Sequence, residues 1–177
     1  MKIELFTGDF LFTGSHEKKA RSLTNIIDTK SQSKIFNSAV ELFITAALVW
    51  CINNRTAIKE KGTKTLKIYL TQFNTHRVAL MNTYKLVLLC ADSAKVSPID
   101  RINRAFRDYS EDYNFELFIS YVLGGIDELY SVFYDNGSVR YDDYLNSLIS
   151  FIKENLTETE NEELDDEDIF GNDVFWF

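Results

Sequence analysis

Apolar side chains recur along this chain at intervals of three and four residues, the spacing that lines one face of an α-helix, and turn-forming residues cut that rhythm into about six stretches. Ser15 is placed to cap a first helix over residues 16–27, whose apolar positions are Ala20, Leu23, Ile26 and Ile27. Asn37 or Ser38 opens a second, strongly apolar helix running through Ile52. Val78, Met81, Leu86, Leu89 and Cys90 predict a third over residues 74–91. The sharpest start signal is Ser97-Pro98-Ile99-Asp100: a capping serine, a proline at the first helical position, and an acid in the first turn where the helix dipole favours it. It opens a fourth helix over 98–109. A fifth spans 113–134 until Asp135-Asn136-Gly137, and a sixth spans 141–156 with Tyr144, Leu145, Leu148, Ile149 and Ile152 as its apolar face. Residues 2–13 alternate loosely and predict a short strand or extended arm. Leu66, Ile68 and Leu70, interleaved with Lys67 and Tyr69, predict another extended piece. The basic connection 55–67 is long for a bundle and reads as mobile.

The pattern predicts an all-α fold, one helical-bundle-like domain over residues 1–156, followed by a tail, 157–177, of different composition. With 45% apolar residues and one proline, the 177-residue chain has enough material for a single core and little for a loop-rich β fold. Charge divides sharply at residue 157. The tail holds nine of the 27 acids and no Lys or Arg, so the body, with eighteen acids against nineteen bases, is nearly neutral, and the net charge of −8 belongs to the tail. Such dense acids bury too little apolar surface to offset ordering entropy, and disorder until bound is the expectation. Yet the tail also carries Phe170, Phe175, Trp176 and Phe177, aromatics that oppose solubility and so predict a docking element, in cis or in trans.

Several chemistries lack a carrier. Met1-Lys2-Ile3-Glu4-Leu5-Phe6 has no secretory pattern, and the longest apolar stretch, 39–52, is too short to span a bilayer, so a cytoplasmic protein with no membrane contact is expected. Cys51 and Cys90 sit in apolar runs and read as reduced core residues. His16, Cys51, His76 and Cys90 are too scattered for a metal site, and there is no Gly-rich phosphate loop or nucleophile elbow. Glu116, Asp127 and Glu128 read as a solvated helix face. No cofactor, no metal and no enzymatic activity are expected.

Two features of the body suggest contacts. Arg101, Arg104 and Arg107, three apart on the fourth helix, join Lys61 and Lys64 of the connection as candidate phosphate contacts, with Arg55, Lys59 and Lys67 nearby in sequence. Gly124-Gly125 at the centre of the fifth helix costs about 2 kcal/mol of helix propensity relative to two alanines, which predicts close approach of another element or a kink.

Phe12-Thr13-Gly14-Ser15-His16, the run from Ile35 to Phe43 with Ala46-Ala47-Leu48 and Asn54-Arg55, and Phe115-Glu116-Leu117-Phe118 with Gly124-Gly125-Ile126 together resemble small helical accessory proteins of bacterial DNA-phosphorothioation and related phage-defence clusters. The resemblance is one of scattered pattern over residues 1–155 and does not reach the tail. It implies a non-enzymatic accessory or adaptor subunit, with protein partners in a multi-subunit bacterial complex and DNA as a further candidate partner. The competing expectation is an inhibitor that mimics nucleic acid and presents its carboxylates to a DNA-binding enzyme.

Overall fold

A computed structural model describes residues 4–53, 55–91, 95–135 and 141–161, the side chains of 50–53, 141 and 156–161 excepted. The fold is all-α. Among the described residues, seven α-helices are accompanied by two short antiparallel strand pairs. Strand β1 (Phe10–Thr13) leads into α1 (Gly14–Thr24). Strands β2 (Ile26–Asp28) and β3 (Ser33–Lys34) form a small hairpin before α2 (Ala39–Asn53). Strand β4 (Thr65–Ile68) returns to pair with β1, Phe10 opposite Ile68 and Thr13 opposite Thr65. Helices α3 (Leu70–Thr75), α4 (Arg77–Cys90), α5 (Pro98–Phe106), α6 (Asp112–Tyr130) and α7 (Tyr141–Asn161) follow, with a π-helical turn, Ser131–Asp135, closing α6.

The core forms around α2 and α6. Val40, Leu42, Phe43, Ala46 and Ala47 of α2 meet Phe118, Val122, Leu123 and Ile126 of α6, all buried. The two glycines let these helices and their neighbour approach. A Cβ on Gly125 would collide with the Ala46 carbonyl of α2, and one on Gly124 with the Arg55 carbonyl of the following connection. Close approach, not a kink, therefore offsets the helix propensity these residues forgo.

At one end the core is aromatic. Phe6 enters it from the N-terminal arm and meets the rings of Phe43, Phe73, Tyr84, Phe115 and Phe118 with centroids 5.4–6.5 Å apart, mostly edge to face. Its backbone is left-handed, φ 54°, an unfavourable conformation for a bulky residue that its burial holds in place.

Two predicted elements differ. Ile26 and Ile27 do not extend the first helix: α1 stops at Thr24, Asn25 is extended, and the two β-branched residues pair as a strand that leaves Ile26 exposed. The third predicted helix divides at His76 into α3 and α4, and α3 begins earlier, where Asp9 accepts a hydrogen bond from the Leu70 N–H at 2.8 Å. Helix α4 is apolar on more than one side, so the spacing misplaced its inner face. Leu80, Tyr84, Val87 and Leu88 are buried, while Val78, Leu86 and Cys90 face outward. Cys90 is thus a surface residue, not a core thiol, and the Cys51 side chain lies outside the described residues.

The connection after α2 is no loose loop. The Ala57 N–H donates to the Ser120 carbonyl of α6 at 3.0 Å, and Gly62 lies against the Gly14 backbone, with contacts of 2.5 and 3.0 Å to a Cβ built upon it. Between them Glu60 seats on the start of α1. Its carboxylate accepts from the Ser15 N–H at 2.7 Å and the Ser15 hydroxyl at 2.8 Å, while the Thr13 hydroxyl donates to its backbone carbonyl. Ser15 is therefore not the cap but the capped residue, and an acid forty-five positions away satisfies the helix.

Candidate functional site

Helix α5 starts as its sequence requires. The Ser97 hydroxyl accepts from the Asp100 N–H at 3.2 Å, and Pro98 occupies the first helical position. Its arginines do not share one exposed face. Arg101 is half-buried and turns inward, donating from a guanidinium NH to the Leu89 carbonyl in the last turn of α4 at 2.7 Å. Arg104 is half-buried as well, and Arg107 stands exposed at the C-cap. Arg101 thus satisfies an orphan carbonyl of a neighbouring helix, a task that consecutive spacing on α5 could not reveal.

The bases of the connection are spread among different partners. Arg55 pairs with Glu128 at 2.8 Å, Lys67 pairs with Asp9 at 2.9 Å, and the Lys59 ammonium lies 5.1 Å from the centroid of the Phe10 ring. Lys61 and Lys64 are exposed. Lys64 shares a polar depression with Lys18 and Arg21 of α1, whereas α5 packs on α4. The five candidate phosphate contacts therefore fall on two separate parts of the molecule.

What faces solvent on α5 is apolar. Ile99, Ile102 and Phe106, spaced to share one side, are 47–64% exposed, while Ala105, at the edge of that side, is buried. Lys85 of α4 borders this face, its ammonium 5.3 Å from the Phe106 ring centroid and 5.6 Å from that of Tyr109. A second apolar face lies on α7. Tyr144 and Phe151 pack on the core, but Leu145, Leu148, Ile149 and Ile152, predicted as the buried face, remain 37–48% exposed. Their neighbours on the helix are Asp142, Asp143, Lys153 and Glu154. Isolated exposed apolar residues are ordinary, but two runs of about two helical turns each are not, and such patches mark contact surfaces.

A charged cluster ties α1 to α6. Asp127 receives Lys19 at 2.8 Å and stands 3.4 Å from Nε2 of the buried His16. Burial raises the Asp127 pKa, but the His16 and Lys19 bonds outweigh it and hold the carboxyl below its ordinary value. With Glu128 buried against Arg55 and Asp127 half-buried against His16 and Lys19, these two acids of α6 are fasteners between elements and not the solvated face the sequence suggested; Glu116 alone of the three is exposed. At the far end of α6 the π-turn carries Tyr134 to α1, where its hydroxyl donates to the Ser22 carbonyl at 2.8 Å.

Phe170, Phe175, Trp176 and Phe177 lie outside the described residues. Among the described residues no group of three or more His, Cys, Asp or Glu side chains is arranged to hold a metal ion, and no helix is long and apolar enough to cross a membrane. No protein-family model, curated protein or solved structure matches the chain.

Proposed function

We propose that this chain is a non-catalytic adaptor subunit of a bacterial phage-defence or DNA-processing complex, working in the cytoplasm. The kind of assembly is drawn from the resemblance in the sequence; the adaptor role is drawn from the surface. The observation that carries it is the outward apolar run of α7, Leu145, Leu148, Ile149 and Ile152, on a helix whose Tyr144 and Phe151 already pack inward. Acids border that run, and the acidic, aromatic-rich residues 162–177 follow it directly. The complementary partner is a protein presenting an amphipathic helix with a basic rim, its apolar side on α7 and its bases toward the tail.

Phosphate contact is a lesser part of this reading. Lys61 and Lys64, with Lys18, offer exposed charge beside α1, whereas Arg101 is engaged in holding α4. The nucleic-acid-mimic alternative draws less support, because Asp9, Glu17, Asp127 and Glu128 of the body are all drawn into internal ion pairs.

Co-purification of the full chain with the products of neighbouring genes tests the adaptor role. Ile149→Asp and deletion of residues 157–177 should each reduce recovery of the partner at least tenfold, while helical content stays unchanged. Undiminished recovery with both variants overturns the reading.

A further inference from the structure

The apolar run of α7 is spaced to fit itself. We infer that, until a partner occupies it, this face pairs antiparallel with α7 of a second copy of the chain. The inference rests on the adaptor reading in one respect, that the run is a surface for an amphipathic helix, and adds which helix covers it first.

Leu145, Leu148, Ile149 and Ile152 are symmetric about a point between residues 148 and 149. When two such helices run in opposite directions about a two-fold axis through that point, Leu145 meets Ile152 of the second copy and Leu148 meets its Ile149, and each contact occurs twice. The flank beside the run follows the same centre. Asp142, Asn146, Ser150 and Lys153 succeed one another at intervals of four, four and three, which keeps them on one side of the helix, and all four are exposed. In the antiparallel pair Asp142 lies across from Lys153 of the second copy and Asn146 across from its Ser150, so opposite charges and hydrogen-bonding groups meet at both ends. The parallel alternative sets Asp142 against Asp142 and Lys153 against Lys153, aligns the two helix dipoles, and brings both acidic C-terminal segments to one end. Antiparallel pairing sends those segments apart. Among the described side chains, the other charged groups of α7, Asp143 and Glu154, fall on nearly the opposite side of the helix from the run and stay out of the contact.

Size sets the strength. The four residues of the run are 37–48% exposed. If the eight side chains of run and flank each give up about 75 Å², two copies bury about 1,200 Å² together, the small end of specific interfaces. The pair is therefore a weak, exchangeable one with a dissociation constant in the micromolar range, which a partner helix of better fit displaces by mass action. Capturing a partner then separates two copies, so recruitment depends on the concentration of the chain itself.

Sedimentation velocity of the full chain at low salt tests this. Between about 1 and 500 µM the sedimentation coefficient should rise with concentration from the monomer value toward the dimer value. Ile149→Asp should abolish the rise while circular dichroism shows helical content unchanged. Ile102→Asp, on the α5 face, should leave the rise as it is. Lys153→Asp should weaken association about tenfold, and adding Asp142→Lys to Lys153→Asp should restore it to within about threefold, because the exchanged charges still face each other across an antiparallel pair. A chain that stays monomeric throughout, an association indifferent to Ile149→Asp, one abolished by Ile102→Asp, or a double exchange that fails to restore pairing overturns the proposal. These measurements need no partner. A chain that stays monomeric yet co-purifies with its partner fails here and leaves the adaptor reading standing, whereas one that pairs by these rules and recovers no partner does the reverse.

Discussion

Gly125 shows how little room the central packing leaves. Its missing Cβ is replaced by the Ala46 carbonyl of α2, which is backbone and cannot swing aside as a side chain would. Gly125→Ala is therefore expected to destabilise the fold by about 1–3 kcal/mol or more despite alanine's better helix propensity, seen as a lower urea midpoint with an unchanged m-value. Phe6 makes the opposite contribution, filling space from a strained backbone. Phe6→Ala removes five ring contacts at once and should lower stability by about 3–5 kcal/mol in the same assay. The glycine pair was legible as a site of close approach because two glycines mid-helix need a compensating reason. The importance of Phe6 was not legible, since nothing in its neighbourhood in sequence distinguishes it from the chain's thirteen other phenylalanines.

Among the elements, α1 and α5 depend on groups that other parts of the chain supply. Helix α1 has no side-chain cap of its own and takes the Glu60 carboxylate at its start. Glu60→Ala should leave the fold intact while the amides of the first turn of α1 exchange faster in hydrogen-exchange measurements, the rest of the helix staying protected. The reverse relation holds for α4, whose last turn is closed by Arg101 of α5. Arg101→Ala should cost about 1–2 kcal/mol of stability by chemical denaturation, and a loss of DNA affinity with no change in stability would restore the phosphate reading of that residue. Start signals written in consecutive residues, as at Ser97-Pro98, were readable; caps delivered across forty-five residues were not.

For the molecule as a whole, three fastenings between separate parts of the chain are acidic: Asp9 ties the N-terminal arm to β4 and α3, Glu60 ties the connection after α2 to α1, and Asp127 ties α6 to α1. Asp9 is held below its ordinary pKa by the Leu70 N–H and then Lys67, Glu60 by the N–H and hydroxyl of Ser15, and Asp127, against the effect of burial, by His16 and Lys19. Each is lower in the folded chain than the unfolded values of 3.8 for Asp and 4.5 for Glu, so the unfolded chain binds more protons in acid. Their stabilisation is present above those values and is lost as pH falls through the lower folded ones. Thermal unfolding should therefore hold steady down to about pH 5 and decline below about pH 4, and Asp127→Asn should flatten part of that decline.

Local order along the chain sufficed for the all-α class, for most of the helices and their starts, and for the division between a near-neutral body and an acidic, aromatic end, because periodicity, capping and composition act within a few residues. Which side of each helix became interior was settled only by packing. Helix α4 is apolar on more than one side, the expected inner face of α7 stayed exposed, and Arg101 of α5 turned inward to a carbonyl of α4. In each case the deciding partner is remote in sequence, and spacing within one helix gives the width of an apolar face but not the direction in which the rest of the molecule lies.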